Sequence, residues 1–211
     1  MTRTSSISCI HQIRQSPNHY WWDAVHVKGG GLIDFCLRTD DIRGDYAIFE
    51  EQGVEMSPLV GLSRVRFDGY HLSWLNNEIY GQYQGLIPFI IEDETAREER
   101  VPKETEHENG VMGIESITLA ARDLDLASRI MQAALSKPGA AVEDERLAAR
   151  GLVFELGSHQ LEYLTPADMS SPLHEHIARN RPVPYRIRFK TAGAKFIAAP
   201  QNAAGSLVEF I

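Results

Sequence analysis

Gly31-Leu32-Ile33-Asp34-Phe35-Cys36-Leu37-Arg38-Thr39-Asp40-Asp41-Ile42 and Gly113-Ile114-Glu115-Ser116-Ile117-Thr118-Leu119-Ala120-Ala121-Arg122-Asp123-Leu124 share one design. Each runs from a glycine through an apolar stretch of strand length to acidic residues that can cap a helix. A helical stretch and strand-like segments follow both. A unit of strand, helix and further strands that recurs within one chain predicts a duplicated α+β scaffold. One such unit cannot bury its sheet alone, so function is expected in the groove that the copies form together.

Working outward from the first copy, Ile42, Tyr46 and Phe49 fall at i, i+4 and i+7 and predict one buried helix face, with Gly53 as its stop. Arg64-Val65-Arg66-Phe67 alternates, Asp68-Gly69 is a hairpin dipeptide, and Tyr70 to Leu75 returns as a strand. Gly85 to Ile91 supplies the last strand, Pro88 marking an edge or bulge. In the second copy the helix carries Leu126, Ala127, Ile130, Met131 and Ala134, and Lys137-Pro138-Gly139 ends it. Gly151 to Leu156 and His159 to Leu164 predict a hairpin about Gly157-Ser158. Ser171-Pro172 opens a short helix. Tyr185 to Lys190 and Gly205 to Ile211 read as the first and last strands of a third copy that lacks its helix.

The expected organisation is therefore an N-terminal remnant and joint over 1–30, a first βαβββ module over 31–93 and a charged linker over 94–112. A second module over 113–168 and a helix with a reduced third module over 169–211 complete it. Within 1–30, Ile7 to Ile13 is a candidate strand, and His19-Tyr20-Trp21-Trp22 is an aromatic cluster ahead of the joint Gly29-Gly30-Gly31.

Composition narrows the function classes. The 211 residues are 43% hydrophobic and 24% charged, ordinary for a globular protein able to bury a sizeable core. A net charge of -8 argues against nucleic acid as the partner. No apolar run approaches the ~20 residues of a bilayer span, so no membrane partner is expected. The start has no secretory pattern, and Cys9 and Cys36 are too few for a disulfide framework, so the expected setting is cytoplasmic. No phosphate loop, dinucleotide fingerprint or nucleophile elbow occurs.

Several pieces taken in order resemble glyoxalase-like domain proteins of the vicinal-oxygen-chelate superfamily, which includes glyoxalase I, bleomycin-resistance proteins, extradiol dioxygenases and methylmalonyl-CoA epimerase. The pieces are Gly31 to Phe35 with Arg38 to Asp41, Arg66 to Gly69 with Leu72-Ser73-Trp74, Ile87 to Asp93, and His107 to Ile114. Leu161 to Pro166 and Ser206 to Ile211 resemble the superfamily's fourth strands. The resemblance implies βαβββ modules in a curved mixed sheet around a groove. Relatives usually begin with a further complete module, where this chain has about one strand before Trp21. A shortened version, or a sheet completed by a partner in a homodimer, would account for that.

In metal-using relatives a first-strand histidine and a last-strand glutamate bind a divalent cation, which can hold substrate oxygens and stabilise an enolate. Asp34, Ser116 and Arg186 stand at the histidine positions, while Glu162 and Glu209 match the glutamates. The histidines are absent, and Asp34, Glu162 and Glu209 are the candidate metal ligands that remain. Arg186 at a ligand position, with Glu209 on the neighbouring strand, suggests that a salt bridge replaces the ion. Arg186, Arg188 and Lys190 share one strand face. That face either lines the groove and binds an anion, or is solvated while Tyr185, Ile187 and Phe189 pack inward, as the usual half-buried strand has it.

Trp74, His107, Arg66 and Arg188 are candidate substrate-binding residues, with core, linker or solvent roles as the plainer alternatives for the first two. Glu92 and Asp93 at a strand end could polarise a substrate or simply face water. The implied function is a lyase or isomerase acting on a small oxygen-bearing molecule, with Glu162 or Glu209 as base and a metal or Arg186 as oxyanion stabiliser. The alternatives are a non-catalytic small-molecule binding protein of the bleomycin-resistance type, and a degenerate copy that only pairs with another subunit.

Overall fold

A computed structural model describes residues 20–26, 29–101, 106–179 and 183–211. The candidate strand Ile7 to Ile13 lies outside the described residues. Helix α1 (Tyr20–His26) carries Trp21 and Trp22 of the aromatic cluster, whose His19 lies outside the described residues, and Trp21 packs on Phe89 with ring centroids 6.1 Å apart.

The first unit runs β1 (Cys36–Arg38), α2 (Ile42–Glu51), β2 (Val60–Val65), β3 (His71–Asn76) and β4 (Phe89–Asp93). Its sheet has the order β1-β4-β3-β2, with β1 parallel to β4 and the other pairs antiparallel. Asp41 caps α2 by accepting from the Gly44 amide, and Glu92 accepts from the Ile42 amide (2.8 Å), so two orphan donors of the first turn are met. Gly69 turns the β2–β3 hairpin at φ +85°, a conformation in which a Cβ would be strained. Strand β1 is shorter than the expected Leu32–Leu37. Ahead of β1 the Leu32 amide bonds to the distant Ser206 hydroxyl (2.8 Å).

Helix α3 (Arg97–Arg100) then sits within the charged connection. The second unit is β5 (Val111–Ala120), α4 (Leu124–Leu135), β6 (Ala140–Asp144), β7 (Ala149–Leu156) and β8 (His159–Pro166). Asp123 caps α4 through the Leu126 amide, and Ala127, Ile130, Met131 and Ala134 form its buried stripe. Gly139 leads into β6 where a Cβ would meet Phe154 Cζ at 2.9 Å, so the close approach of the two strands requires glycine. Helix α5 (Leu173–Arg179) follows, and the tail gives β9 (Pro184–Thr191), β10 (Phe196–Ile197) and β11 (Leu207–Phe210).

These strands form a seven-stranded sheet, β10-β11-β9-β5-β8-β7-β6. The β5∥β8 pairing of the second unit is echoed by β9∥β11, and β5 and β9 join the two antiparallel. The result is an open α+β fold of βαβββ type.

One apolar core ties the two sheets. Phe35, Leu37, Ile42 and Phe49 from the first unit pack with Ile117, Leu119, Ile130, Leu161 and Tyr163 from the second. Tyr163 is fully buried and donates its hydroxyl to the Leu86 carbonyl (2.9 Å), a polar tie across that core. Tyr163→Phe should leave this carbonyl unpaired and cost about 1–3 kcal/mol in urea unfolding. A second cluster, Ala120, Leu147, Ala149, Leu164 and Leu173, seats α5 over one end of the opposite sheet face.

Candidate functional site

The face of the seven-stranded sheet that carries this second cluster also carries its charges. Register places Thr118 opposite Glu162 and Arg186, and Glu209 opposite Arg188, so these side chains project to one side. They form a closed ion network. Arg186, 1% exposed, donates from Nη2 to Glu162 Oε2 (2.9 Å), from Nη1 to Asp144 Oδ2 (2.7 Å) and from Nε to Thr118 Oγ1 (3.1 Å). Arg188 donates from Nη1 to Glu162 Oε1 (3.1 Å) and from Nε to Glu209 Oε2 (3.0 Å). Arg146 reaches Glu209 Oε1 (3.0 Å) from the rim, and Thr118 adds its hydroxyl to Glu162 Oε2.

The sequence leads one to expect Arg186 beside Glu209; the structure places both, with Glu162 and Arg188, on one face of the sheet. Two details differ. The solvated reading of the basic face does not hold for Arg186 and Arg188, because Glu209 on β11, Glu162 on β8 and Asp144 on β6 pair with them on that face, burying Arg186 and covering most of Arg188. And Arg186 pairs with Glu162 and Asp144, while Glu209 belongs to Arg188, its register partner. Asp144, Arg146 and Thr118 were not singled out in the sequence. Asp144 ends the short strand β6, and no local pattern announces that its carboxylate crosses to β9.

The carboxyl group of Asp144 is pulled two ways. Burial raises its pKa, but the hydrogen bond and charge of Arg186, with Arg188 behind, outweigh this and hold it below the usual range.

The other candidates lie elsewhere. Arg66 pairs with Asp68 (2.6 Å) and Glu99 (2.9 Å) and lies over the Tyr70 ring, beside the β2–β3 hairpin. Trp74 is half-buried in the first sheet, opposite Asp93. His107 is exposed in the connection before β5. Glu92 caps α2, and Asp93 is held by Arg100 and lies 3.7 Å from Arg38, so both serve the fold.

Asp34, the candidate ligand of the first unit, is separate from the network. Trp21 Nε1 donates to its Oδ2 (3.2 Å) and the Phe35 amide to its Oδ1 (2.8 Å). Burial pushes its pKa up to about 7, the Phe35 amide offsets part of the rise, and the charge of Glu78 adds to it.

A divalent cation does not fit this donor set. Both oxygens of Glu162 and both of Glu209 already accept from guanidinium groups, and among the described residues no imidazole bonds to them. Among the described residues no three His, Cys, Asp or Glu side chains are grouped as a metal site would need.

The fold has known counterparts. A hypothetical protein from Staphylococcus aureus superposes with a TM-score of 0.57 at 15% identity, over 84% of this chain. The chain spans 64% of that protein's length, less than two thirds. Methylmalonyl-CoA epimerase from Mycobacterium tuberculosis aligns over 51% of this chain and 91% of its own, with a TM-score of 0.45 and 14% identity. A Streptomyces coelicolor methylmalonyl-CoA epimerase variant in complex with 2-nitronate-propionyl-CoA aligns over 47% and 93%, with a TM-score of 0.42 and 18% identity. No protein of curated function matches the chain. Among the described residues no helix is long and apolar enough to cross a membrane. The family model described as "Glyoxalase-like domain" matches residues 7–135, more than half of the sequence, and the chain belongs to that family.

Proposed function

We propose that the protein is a metal-independent, non-catalytic small-molecule binding member of its superfamily, of the bleomycin-resistance type. The observation that carries this is the pair of guanidinium groups, Arg186 and Arg188, set between Glu162 and Glu209. The lyase or isomerase reading needs a carboxylate free to take a proton, within hydrogen-bond reach of substrate. Glu162 has Oε1 committed to Arg188 and Oε2 to Arg186 and Thr118, while Glu209 is shared by Arg188 and Arg146. The arginines supply the positive charge that an ion would otherwise bring, and they do so without an open coordination position for substrate oxygens.

The proposal includes the cytoplasmic setting and the homodimer expected of the sequence. The low cysteine content of the chain, two in 211 residues, suits a reducing compartment, and the exposed Val60, Leu62 and Val65 on the edge strand β2 suit pairing between copies.

Protein purified without chelator should contain no stoichiometric divalent metal, and its melting temperature should be unmoved by EDTA, manganese, zinc or nickel. A metal-dependent rise of several degrees would overturn the proposal, since a ligand that binds only the folded state must stabilise it.

A further inference from the structure

Asp144 enters the ion network from a different kind of element than its partners. Thr118, Glu162, Arg186, Arg188 and Glu209 sit within paired strands, whereas Asp144 is the last residue of the edge strand β6. It opens the 3-10 turn Glu145–Leu147, which closes at Ala148 with φ +42°. Its Oδ2 lies in the fork between two guanidinium groups, 2.7 Å from Arg186 Nη1 and 3.4 Å from Arg188 Nη2. The fork itself is fixed by the sheet. One carboxylate oxygen, carried by a turn, occupies a position that a free carboxylate could also take.

Three further observations bear on this. The network balances three cations, Arg146, Arg186 and Arg188, against three carboxylates, Asp144, Glu162 and Glu209. Removing the Asp144 carboxylate therefore leaves one unmatched positive charge at the fork. Next, the network reaches the surface at its rim, where the side chains of Asp144, Arg188 and Arg146 are 12%, 24% and 60% exposed. Finally Ser116, the register partner of Arg188, is fully buried and its Oγ has no hydrogen-bond partner among the described residues. A buried hydroxyl left unpaired is rare and marks a position for a ligand atom or an ordered water.

We propose that Asp144 is a displaceable stand-in for the carboxylate of a small organic-acid ligand, whose own carboxylate docks against Arg186 Nη1 and Arg188 Nη2. Displacement asks that the Asp144 side chain rotate, giving up its bond to the Leu147 amide (3.1 Å) and its contacts with Arg186 and Arg188, which the ligand's carboxylate replaces; Leu147 stays seated beside Leu164 and Leu173. Two guanidinium groups are better suited than ammonium groups to a planar carboxylate. This deepens the binding reading and rests on it, naming a monocarboxylic acid as the ligand class.

The test is acetate and pyruvate added to wild type, Asp144→Ala and Asp144→Asn, with chloride at equal ionic strength as control. In both variants 50 mM acetate should raise the melting temperature by about 3 °C over chloride. Saturation-transfer NMR should show pyruvate binding to wild type as well, more weakly, and binding should vanish in Arg188→Met. Absence of a carboxylate-specific shift in either variant overturns the proposal. So does binding to the variants with none to wild type, which makes the aspartate a fixed structural group. Should Asp144→Ala fail to fold, the near-isosteric Asp144→Asn carries the test alone. Metal melts on wild type separate the two claims. A metal shift together with carboxylate binding sinks the metal-free reading alone, and no metal shift with no carboxylate binding sinks this site alone.

Discussion

Arg186→Met should destabilise the protein by about 3–5 kcal/mol, the cost of leaving buried carboxylates without their counter-charge. In a chain of this length that is a fall in melting temperature of roughly 10 °C or more. Arg186 serves three acceptors, Glu162, Asp144 and Thr118, and only Glu162 keeps a comparably close guanidinium partner when it is gone. Arg186→Lys should recover only part of the loss, because one ammonium cannot span all three acceptors. The double variant Arg186→Met/Glu162→Leu should be more stable than Arg186→Met alone, since an apolar replacement removes the stranded charge along with its partner.

Urea unfolding of the four proteins of that cycle measures the coupling directly. A loss below about 1 kcal/mol for Arg186→Met would mean that the network is solvated in solution. The same cycle has an acid signature. Asp144 is ionised more readily in the folded than in the unfolded state, so its contribution is present above the ordinary carboxyl range and is lost as pH falls through the folded value. Arg186→Met should blunt that acid sensitivity.

Much of the fold was legible because its signals are local. Asp41 and Asp123 announce their helices by capping chemistry, Ile42 and Phe49 by spacing, and Asp68-Gly69 by turn type. The repeat appears in the structure as parallel pairing of first and last strands, β1∥β4, β5∥β8 and β9∥β11, a pairing that the sequence reading did not include. Strand β6 was missed, since five residues between Lys137-Pro138-Gly139 and a 3-10 turn show no clear alternation.

The site was half legible for a related reason. Strand alternation put Arg186 and Arg188 on one face, and the repeat put Glu162 and Glu209 on last strands. Which arginine meets which glutamate is a matter of register. Register depends on the bulges between β5 and β9, and no residue pattern encodes those. Asp144 and Arg146 join the network only through tertiary closure of the sheet.

Asp34→Asn should stabilise the protein at pH 8 by up to roughly 4 kcal/mol and change little near pH 4. The sign runs opposite to that of Asp144. Burial raises the Asp34 pKa from about 3.8 to about 7, so between those values the folded state binds a proton that the unfolded state has released. Stability therefore falls as pH rises through this window, and above it the full cost of holding a buried charge remains. Asparagine removes the charge and keeps the packing, but its single amide oxygen can accept from only one of the two donors, Trp21 Nε1 on Oδ2 or the Phe35 amide on Oδ1, which offsets part of the gain. Urea unfolding of both proteins at pH 4.5, 6 and 8 should show a gap that widens with pH. A gap constant across the three would mean that Asp34 titrates normally. The outcome also bears on the first unit's candidate ligand. A carboxyl group that is half protonated at neutral pH and already accepts from an indole and an amide is poorly suited to hold a cation. On the proposed metal-free reading the two units differ in their physics: in the second, guanidinium groups supply the positive charge, and in the first, burial suppresses the negative one.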